Sequence, residues 1–160
     1  MKPVYLFPNK LKIPALITFI CSLILIMLQS NGIEYIINAK VYAIASDHFL
    51  NSEENVYLGW VTENIYNEIL DILYFSSGII LIFSKEKIED EMIRMIRYQS
   101  LVYSSYFIFS MLILSEIFIY GMSFLPVIMF FFYAFVLFLN IFYYSKLFIY
   151  KKQFSYENED

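Results

Sequence analysis

Residues 124–145 have the sequence FLPVIMFFFYAFVLFLNIFYYS, and the hydropathy of this stretch decides the fold class. An α-helix needs about 20 mostly apolar residues to cross the roughly 30 Å hydrocarbon core of a bilayer. The stretch does not alternate between apolar and polar residues, as a strand of a membrane barrel would. Because a backbone in lipid must satisfy its own hydrogen bonds, the stretch predicts a transmembrane α-helix.

Three further stretches of the same character precede it, at residues 11–29, 65–83 and 99–120. The 160-residue chain is 60% hydrophobic and 16% charged, against about 45–50% and about 25% in soluble chains. This composition excludes a soluble domain and a disordered tail. The predicted fold class is all-α: an integral-membrane, antiparallel four-helix bundle that forms a single transmembrane domain over residues 1–160.

The basic residues predict the orientation of the chain. Ten of the eleven lysines and arginines lie before the first span, between the second and third, or after the fourth, and only Lys40 lies elsewhere. Because cytoplasmic loops carry the excess of basic residues, we expect both termini in the cytoplasm. The predicted location is a bacterial inner membrane, which the chain crosses several times.

The outer segment, residues 30–64, has the sequence pattern of a short hairpin. The stretches YIINAKVYAI (35–44) and VYLGWV (56–61) are rich in β-branched and aromatic residues, and the polar run 47–55 between them is typical of a turn. An isolated two-stranded hairpin is marginally stable in water. We therefore expect the hairpin to rest on the ends of the helices.

The connection between the second and third spans predicts a cytoplasmic helix extension over residues 85–98. Ser84 is a plausible N-cap, and no Pro or Gly interrupts the chain from residue 85 to residue 120. The extension also carries a cluster of charged residues that is a candidate docking face for a partner: Glu89, Asp90, Arg94 and Arg97. The alternative is a solvated face whose charges pair with one another, as Asp90 and Arg94 can at a spacing of four residues.

The run FSKEKIEDEMIRMIR at residues 83–97 resembles a signature of small four-span membrane proteins of Bacteroidota. The stretches YIINAKVYAI, NIYNEI and FIYG resemble the same group, so the likeness covers most of the chain. This resemblance implies a small inner-membrane protein of a functionally uncharacterised group, often encoded beside helix-turn-helix regulators. It implies no catalytic residue.

Carboxylates inside the predicted spans are the candidate functional side chains. Glu68 and Asp71 lie one turn apart in the second span, and Glu116 lies near the outer end of the third. Ionisable groups at the centre of a bilayer cost about 2.5–3.5 kcal/mol each. If the three converge in the outer leaflet, they form a proton or cation site or a polar pocket. The alternative is that they hydrogen-bond to hydroxyl groups and fix helix packing.

Other chemistry finds no support in the residues. One cysteine and one histidine exclude a disulfide framework and a multi-histidine metal site, so no metal and no cofactor are predicted. Patterns of hydrolases, metalloproteases and phosphate-binding loops are missing from the sequence. With a net charge of −4, the chain is not expected to bind nucleic acid.

The expected function is therefore non-catalytic. The sequence favours a small regulatory or sensory membrane subunit that acts within the lipid bilayer through a partner. That partner is a second copy of the chain or another protein. Two alternatives stay open, a small transporter or channel that uses the outer-leaflet carboxylates and a membrane immunity-type protein.

Overall fold

A computed structural model describes residues 5–30, 32, 35–46 and 56–157. This part of the chain is mostly helical, with four α-helices and one two-stranded sheet. In chain order the elements are α1 (Lys12–Ser30), β1 (Asn38–Ser46), β2 (Val56–Asn64), α2 (Tyr66–Ile82), α3 (Glu91–Phe118) and α4 (Phe124–Glu157). Short 3-10 turns lead into α1 and α4. Among the described residues, the helices α1, α3 and α4 are long and apolar enough to cross a membrane.

The chain divides into two compact units by its internal contacts. The first unit comprises the residues up to Phe19 together with those from Phe75 onward, and the second is Ile20–Tyr74. Both α1 and α2 continue from one unit into the other. The division therefore does not test the predicted single domain, which stays a prediction.

In the first unit, α3 packs against α4. Their shared core contains four buried side chains, Ile93, Ile96, Tyr143 and Leu147. Farther along the same pair of helices, the rings of Phe107 and Phe138 lie 4.7 Å apart. Ser100 and Ser104 on α3 are fully buried, and such small side chains let two helices approach closely.

Gly78 on α2 lies where three helices of the first unit meet. A Cβ atom added there would lie 2.3 Å from Val136 Cγ1 on α4 and 3.0 Å from Phe19 Cε2 on α1. The Nδ2 atom of Asn140, also on α4, donates to the Gly78 carbonyl oxygen over 3.3 Å. The absence of a side chain at this position is what allows the close approach.

The second unit contains the hairpin that the sequence predicts. Strands β1 and β2 pair antiparallel, from Asn38 opposite Asn64 to Ser46 opposite Val56. The side chain of Asn64 fixes the base of the hairpin. Its Oδ1 atom accepts from Ile37 N (3.0 Å) and Tyr66 N (3.2 Å), so it joins the chain before β1 to the start of α2.

The predicted helix over residues 85–90 is wrong. The third helix begins at Glu91, because Asp90 has an extended backbone and its carboxylate caps Ile93 N at 2.7 Å. The preceding residues pair instead with the N-terminal segment: Phe7 N donates to Phe83 O (2.8 Å) and Lys85 N donates to Phe7 O (2.9 Å). This long-range pairing is a parallel β-bridge between Phe7 and Ser84, so the chain leaves α2 beside the N-terminal segment before α3 begins.

Helix α4 is longer than the predicted span. It continues past residue 145 to Glu157, and no Gly or Pro occurs after Pro126 to end it. Pro126 lies in the first turn of α4, where the backbone N–H groups have no partner within the helix. Gly121, with φ +69°, makes the turn that separates α3 from α4.

We expect Gly78→Ala to lower the free energy of unfolding by about 1–2 kcal/mol, because overpacking costs about 1–3 kcal/mol. Alanine is the better helix former by about 1 kcal/mol, so a net loss measures the clash. Unfolding in mild detergent, followed by circular dichroism, gives the difference. The added substitution Val136→Ala removes the nearest clashing atom and should restore part of the loss. A stability of Gly78→Ala above that of the native chain would contradict this packing.

Candidate functional site

A buried arginine joins three elements of the first unit. Arg97, on the second turn of α3, is only 7% exposed. Its Nε atom donates to the carbonyl oxygen of Ile82 (2.7 Å), and its Nη2 atom donates to that of Ser84 (3.2 Å). The guanidinium group therefore caps the C-terminal end of α2, where carbonyl groups lack helical partners.

The remaining contacts of Arg97 are with side chains. Its Nη1 atom forms an ion pair with Glu89 Oε1 at 2.9 Å. Its Nη2 atom also donates to the hydroxyl of Tyr143 on α4 over 3.4 Å. The second carboxylate oxygen of Glu89 accepts from the backbone N–H of Glu86 at 3.0 Å. One side chain thus links α2, the 83–90 connection, α3 and α4.

Glu86 is the second centre of this network. Its buried carboxylate forms ion pairs with Lys12 at the start of α1 and with Lys151 near the end of α4, the latter at 3.0 Å. The hydroxyl of Tyr143 donates to the same carboxylate over 3.1 Å. We name the six side chains of this network the charge cluster: Lys12, Glu86, Glu89, Arg97, Tyr143 and Lys151.

The pKa of Glu86 reflects two opposed effects. Burial raises the pKa of its carboxyl, because removal of water disfavours the charged form. The hydrogen bonds and charges of Lys12 and Lys151 lower it more, so the pKa lies below the ordinary 4.5. The carboxylate is consequently ionised at neutral pH, and the ion pairs are intact there.

Asp90 adds a contact beside the charge cluster. Its Oδ2 atom accepts from the hydroxyl of Tyr150 on α4 at 2.7 Å, while Oδ1 caps α3. Desolvation is the largest single effect and raises the pKa of its carboxyl, but the hydrogen bonds from Tyr150 and the backbone together outweigh it and hold the pKa below the ordinary range. Asp90 therefore fastens the start of α3 to α4 in its charged form.

The charge cluster is suited to holding helices together rather than to catalysis. The Glu86 carboxylate accepts from three side chains, and Arg97 donates to four oxygen atoms. Groups this fully engaged have little capacity to take a substrate. Within the described ranges, no group of three or more His, Cys, Asp or Glu side chains is placed to hold a metal ion.

Three of the four residues predicted to form a docking face have internal contacts. Glu89 and Arg97 belong to the charge cluster, and Asp90 caps α3 and binds Tyr150. Arg94 is exposed on α3. Docking through this set stays a prediction.

The predicted outer carboxylates lie in different units. Glu68 and Asp71 are on α2 within the second unit, where Glu68 is exposed and Asp71 is half-buried. Glu116 is exposed near the C-terminal end of α3, in the first unit. Their convergence on one site stays a prediction.

Sequence reasoning missed the most buried carboxylate of the first unit and its partners. The sequence pattern uses Lys12 and Lys151 only to predict orientation, and it does not single out Glu86. The signal was present in part, since a glutamate flanked by lysines lies directly after an apolar span. The local sequence does not show that Lys12 and Lys151, which lie far apart along the chain, meet at this glutamate.

The hairpin carries the second candidate site, an exposed apolar surface. Tyr42 and Trp60 are direct cross-strand partners, and their rings lie 5.5 Å apart in an edge-to-face arrangement. Because side chains alternate along a strand, Ile44 projects on the same side as Tyr42. These three residues, the aromatic face, are 54% (Tyr42), 75% (Ile44) and 65% (Trp60) exposed.

Comparison with known proteins identifies no relative: no family model, no curated protein and no solved structure matches the chain. The resemblance to four-span proteins of Bacteroidota stays an expectation from the sequence.

We expect Arg97→Gln to lower the free energy of unfolding in detergent by about 2–4 kcal/mol, because it leaves Glu89 and two carbonyl oxygens without their donor. Arg94→Gln is the matched control, since it makes the same change of charge on the same helix at an exposed position. We expect that control to lie within about 0.5 kcal/mol of the native chain. Equal losses in both variants would show that Arg97 acts only through net charge.

Acidification should weaken the first unit through Glu86. A carboxyl whose pKa is lowered by folding contributes its full stability above the ordinary value of 4.5, and this contribution is lost as the pH falls through the lower pKa of the folded protein. We expect the unfolding midpoints of the native chain and of Glu86→Gln to differ at neutral pH and to converge below that range. A difference between the two midpoints that stays constant down to strongly acidic pH would contradict a stabilising role of the Glu86 ion pairs.

Proposed function

We propose that this chain is a small integral protein of a bacterial inner membrane, built as a four-helix bundle with both termini in the cytoplasm. Its role is that of a non-catalytic regulatory or sensory subunit that acts through protein contacts. The observation that carries this proposal is the aromatic face of the hairpin. It is an exposed apolar surface outside every predicted span, whereas the charge cluster is engaged in contacts within the first unit.

Exposed side chains support the membrane placement. Along α1, α3 and α4 many large apolar residues face outward, among them Ile13, Ile17, Phe109, Ile113, Phe130 and Phe132. Contiguous apolar surface of this extent would drive aggregation in water. In lipid it is the expected exterior. The fourth crossing is α2, whose 17 residues extend about 26 Å, near the lower limit for a span.

The charge cluster supports the proposed orientation. Lys12, Arg97 and Lys151 come from three separate regions that the sequence places on the cytoplasmic side, and the structure brings them to one end of the first unit. A group of charges is tolerated at the aqueous end of a bundle and costly in the hydrocarbon core. The same end of the first unit thus has the excess of basic residues expected on the cytoplasmic side and the access to water that a group of charges requires.

A protein partner fits the aromatic face better than a small ligand does. The face is one open side of a two-stranded sheet, whereas small-molecule sites are concave pockets. Aromatic side chains are also enriched at the energetic centres of protein interfaces. Burial of a single side chain of this size contributes about 1.5–3 kcal/mol.

The partner that we propose is a second copy of the chain. In the described residues the sheet has only the strands β1 and β2. A two-stranded hairpin is marginal alone, and packing of its aromatic face against the same face of a second hairpin gives both sheets an apolar cover. A two-fold arrangement makes such a contact between identical surfaces possible.

A photo-reactive phenylalanine analogue in place of Tyr42 or Trp60 tests the proposal. With the full chain in liposomes, illumination should yield a covalent dimer, because the aromatic face is buried between two copies. The same analogue at Phe109 on α3 is the control, since it is an exposed aromatic position on a different helix. We expect no dimer, or far less of it, from that position.

Three results would count against the proposal. Adducts to lipid alone from Tyr42 and Trp60 would assign the aromatic face to the membrane surface. Dimers of equal yield from Phe109 would indicate crowding in the bilayer rather than a hairpin interface. In intact cells, an adduct with another protein and none with a second copy would overturn self-association while preserving a role through a partner.

A further inference from the structure

An open groove lies beside the charge cluster, between the start of α1 and the last turns of α4. Its volume is about 520 Å³, and it is lined by Lys12, Tyr144, Ser145, Leu147, Phe148 and Lys151. Two lysines therefore lie beside an apolar wall, which is formed by Leu147 and Phe148 from one turn of α4. This combination of cations and apolar surface is the feature to be explained.

The groove lies at the depth of lipid headgroups if the helices cross the membrane as proposed. Lys12 is the first residue of α1, and Lys151 is close to the end of the apolar segment Gly121–Gln153. Leu147 lies one helical turn before Lys151, which is about 6 Å nearer the bilayer centre. The ammonium groups are thus at the polar boundary, and the apolar wall faces the acyl region.

The charges of the groove leave an excess of positive charge. The buried Glu86 carboxylate lies behind both lysines and compensates one of their two charges. The Lys151 side chain is 56% exposed, so its ammonium group also faces the opening of the groove. Lys12 in turn lies over the ring of Tyr144, 5.0 Å from its centroid, which fixes its position at the rim.

We propose that this groove binds an anionic phospholipid. The phosphate lies between the ammonium groups of Lys12 and Lys151, and one acyl chain lies along Leu147 and Phe148. A soluble phosphorylated compound would leave the apolar wall exposed, whereas a lipid covers it and brings the negative charge that the lysines lack. Glu86 pairs with both lysines, offsets part of their positive charge and thereby limits the affinity of the site.

The proposal rests on the membrane placement of the first unit and not on the hairpin. Its test uses the full chain purified in a non-ionic detergent and titrated with phosphatidylglycerol, with binding read by native mass spectrometry. Phosphatidylcholine of the same acyl chains is the comparison lipid. We expect phosphatidylglycerol to bind more tightly, because its headgroup carries a net negative charge.

Lys151→Gln should weaken the binding of phosphatidylglycerol about fivefold, the effect expected of one basic side chain near an anionic headgroup. It should leave the binding of phosphatidylcholine unchanged. Lys152→Gln is the matched control, because it removes the same charge at the next position, which does not line the groove. Equal effects of the two substitutions would overturn the proposal in favour of general electrostatic attraction.

Glu86→Gln separates lipid binding from damage to the fold. Both Lys151→Gln and Glu86→Gln break the same ion pair, so a structural lesion would weaken lipid binding in both. The proposal instead expects opposite signs, with tighter binding of phosphatidylglycerol by Glu86→Gln, since the two lysines then lose the carboxylate that offsets their charge. Weaker binding in both variants, or equal affinity for the two lipids in the native chain, would overturn it.

Discussion

The first unit depends on the contacts that the buried guanidinium group of Arg97 makes. A buried charge is tolerated when it is paired and hydrogen-bonded, and Arg97 donates to two backbone carbonyls, the carboxylate of Glu89 and the hydroxyl of Tyr143. These partners belong to separate segments, so the contacts that stabilise the charge also fix the segments to one another. Glu86 extends the network to α1 and to the end of α4 through its lysines. The positions of these segments thus follow from the need of the buried charges for partners.

Polar contacts are important in a bundle that lies in lipid, because the burial of apolar side chains between such helices contributes little to the free energy of their association. Lipid tails are as apolar as leucine, so helix association there depends on close packing and on hydrogen bonds. The first unit uses both means. Gly78 lets α2 approach the other helices, Ser100 and Ser104 are buried on α3, and Asn140 donates to the Gly78 carbonyl oxygen. The many exposed apolar side chains then need no protein partner, since their proposed environment is lipid.

Features set by local composition could be predicted from the sequence, and features set by distant residues could not. Hydropathy predicted α1 and α2 to within a residue at each end, and β-branched and aromatic residues predicted the hairpin. The 85–90 stretch has a helical pattern, yet Phe7 and Arg97 bind its backbone and that of its neighbours in another conformation. The charge cluster escaped prediction for the same reason. Lys12 and Lys151 meet at Glu86 only after the helices have packed, which a linear reading of charges does not reveal.

The two candidate sites differ in what they have left to offer a partner. In the charge cluster, Glu86 and Arg97 are engaged with partners of the chain, so binding to these two groups would first have to break contacts. The groove beside it is the exception, because two lysines share one carboxylate and leave one positive charge. The aromatic face differs in this respect. Contact with a partner would remove water from the exposed side chains of Tyr42, Ile44 and Trp60 without breaking a protein bond. On this physical ground, the cluster holds the fold, and the hairpin and the groove are the surfaces to which we assign binding in our proposals.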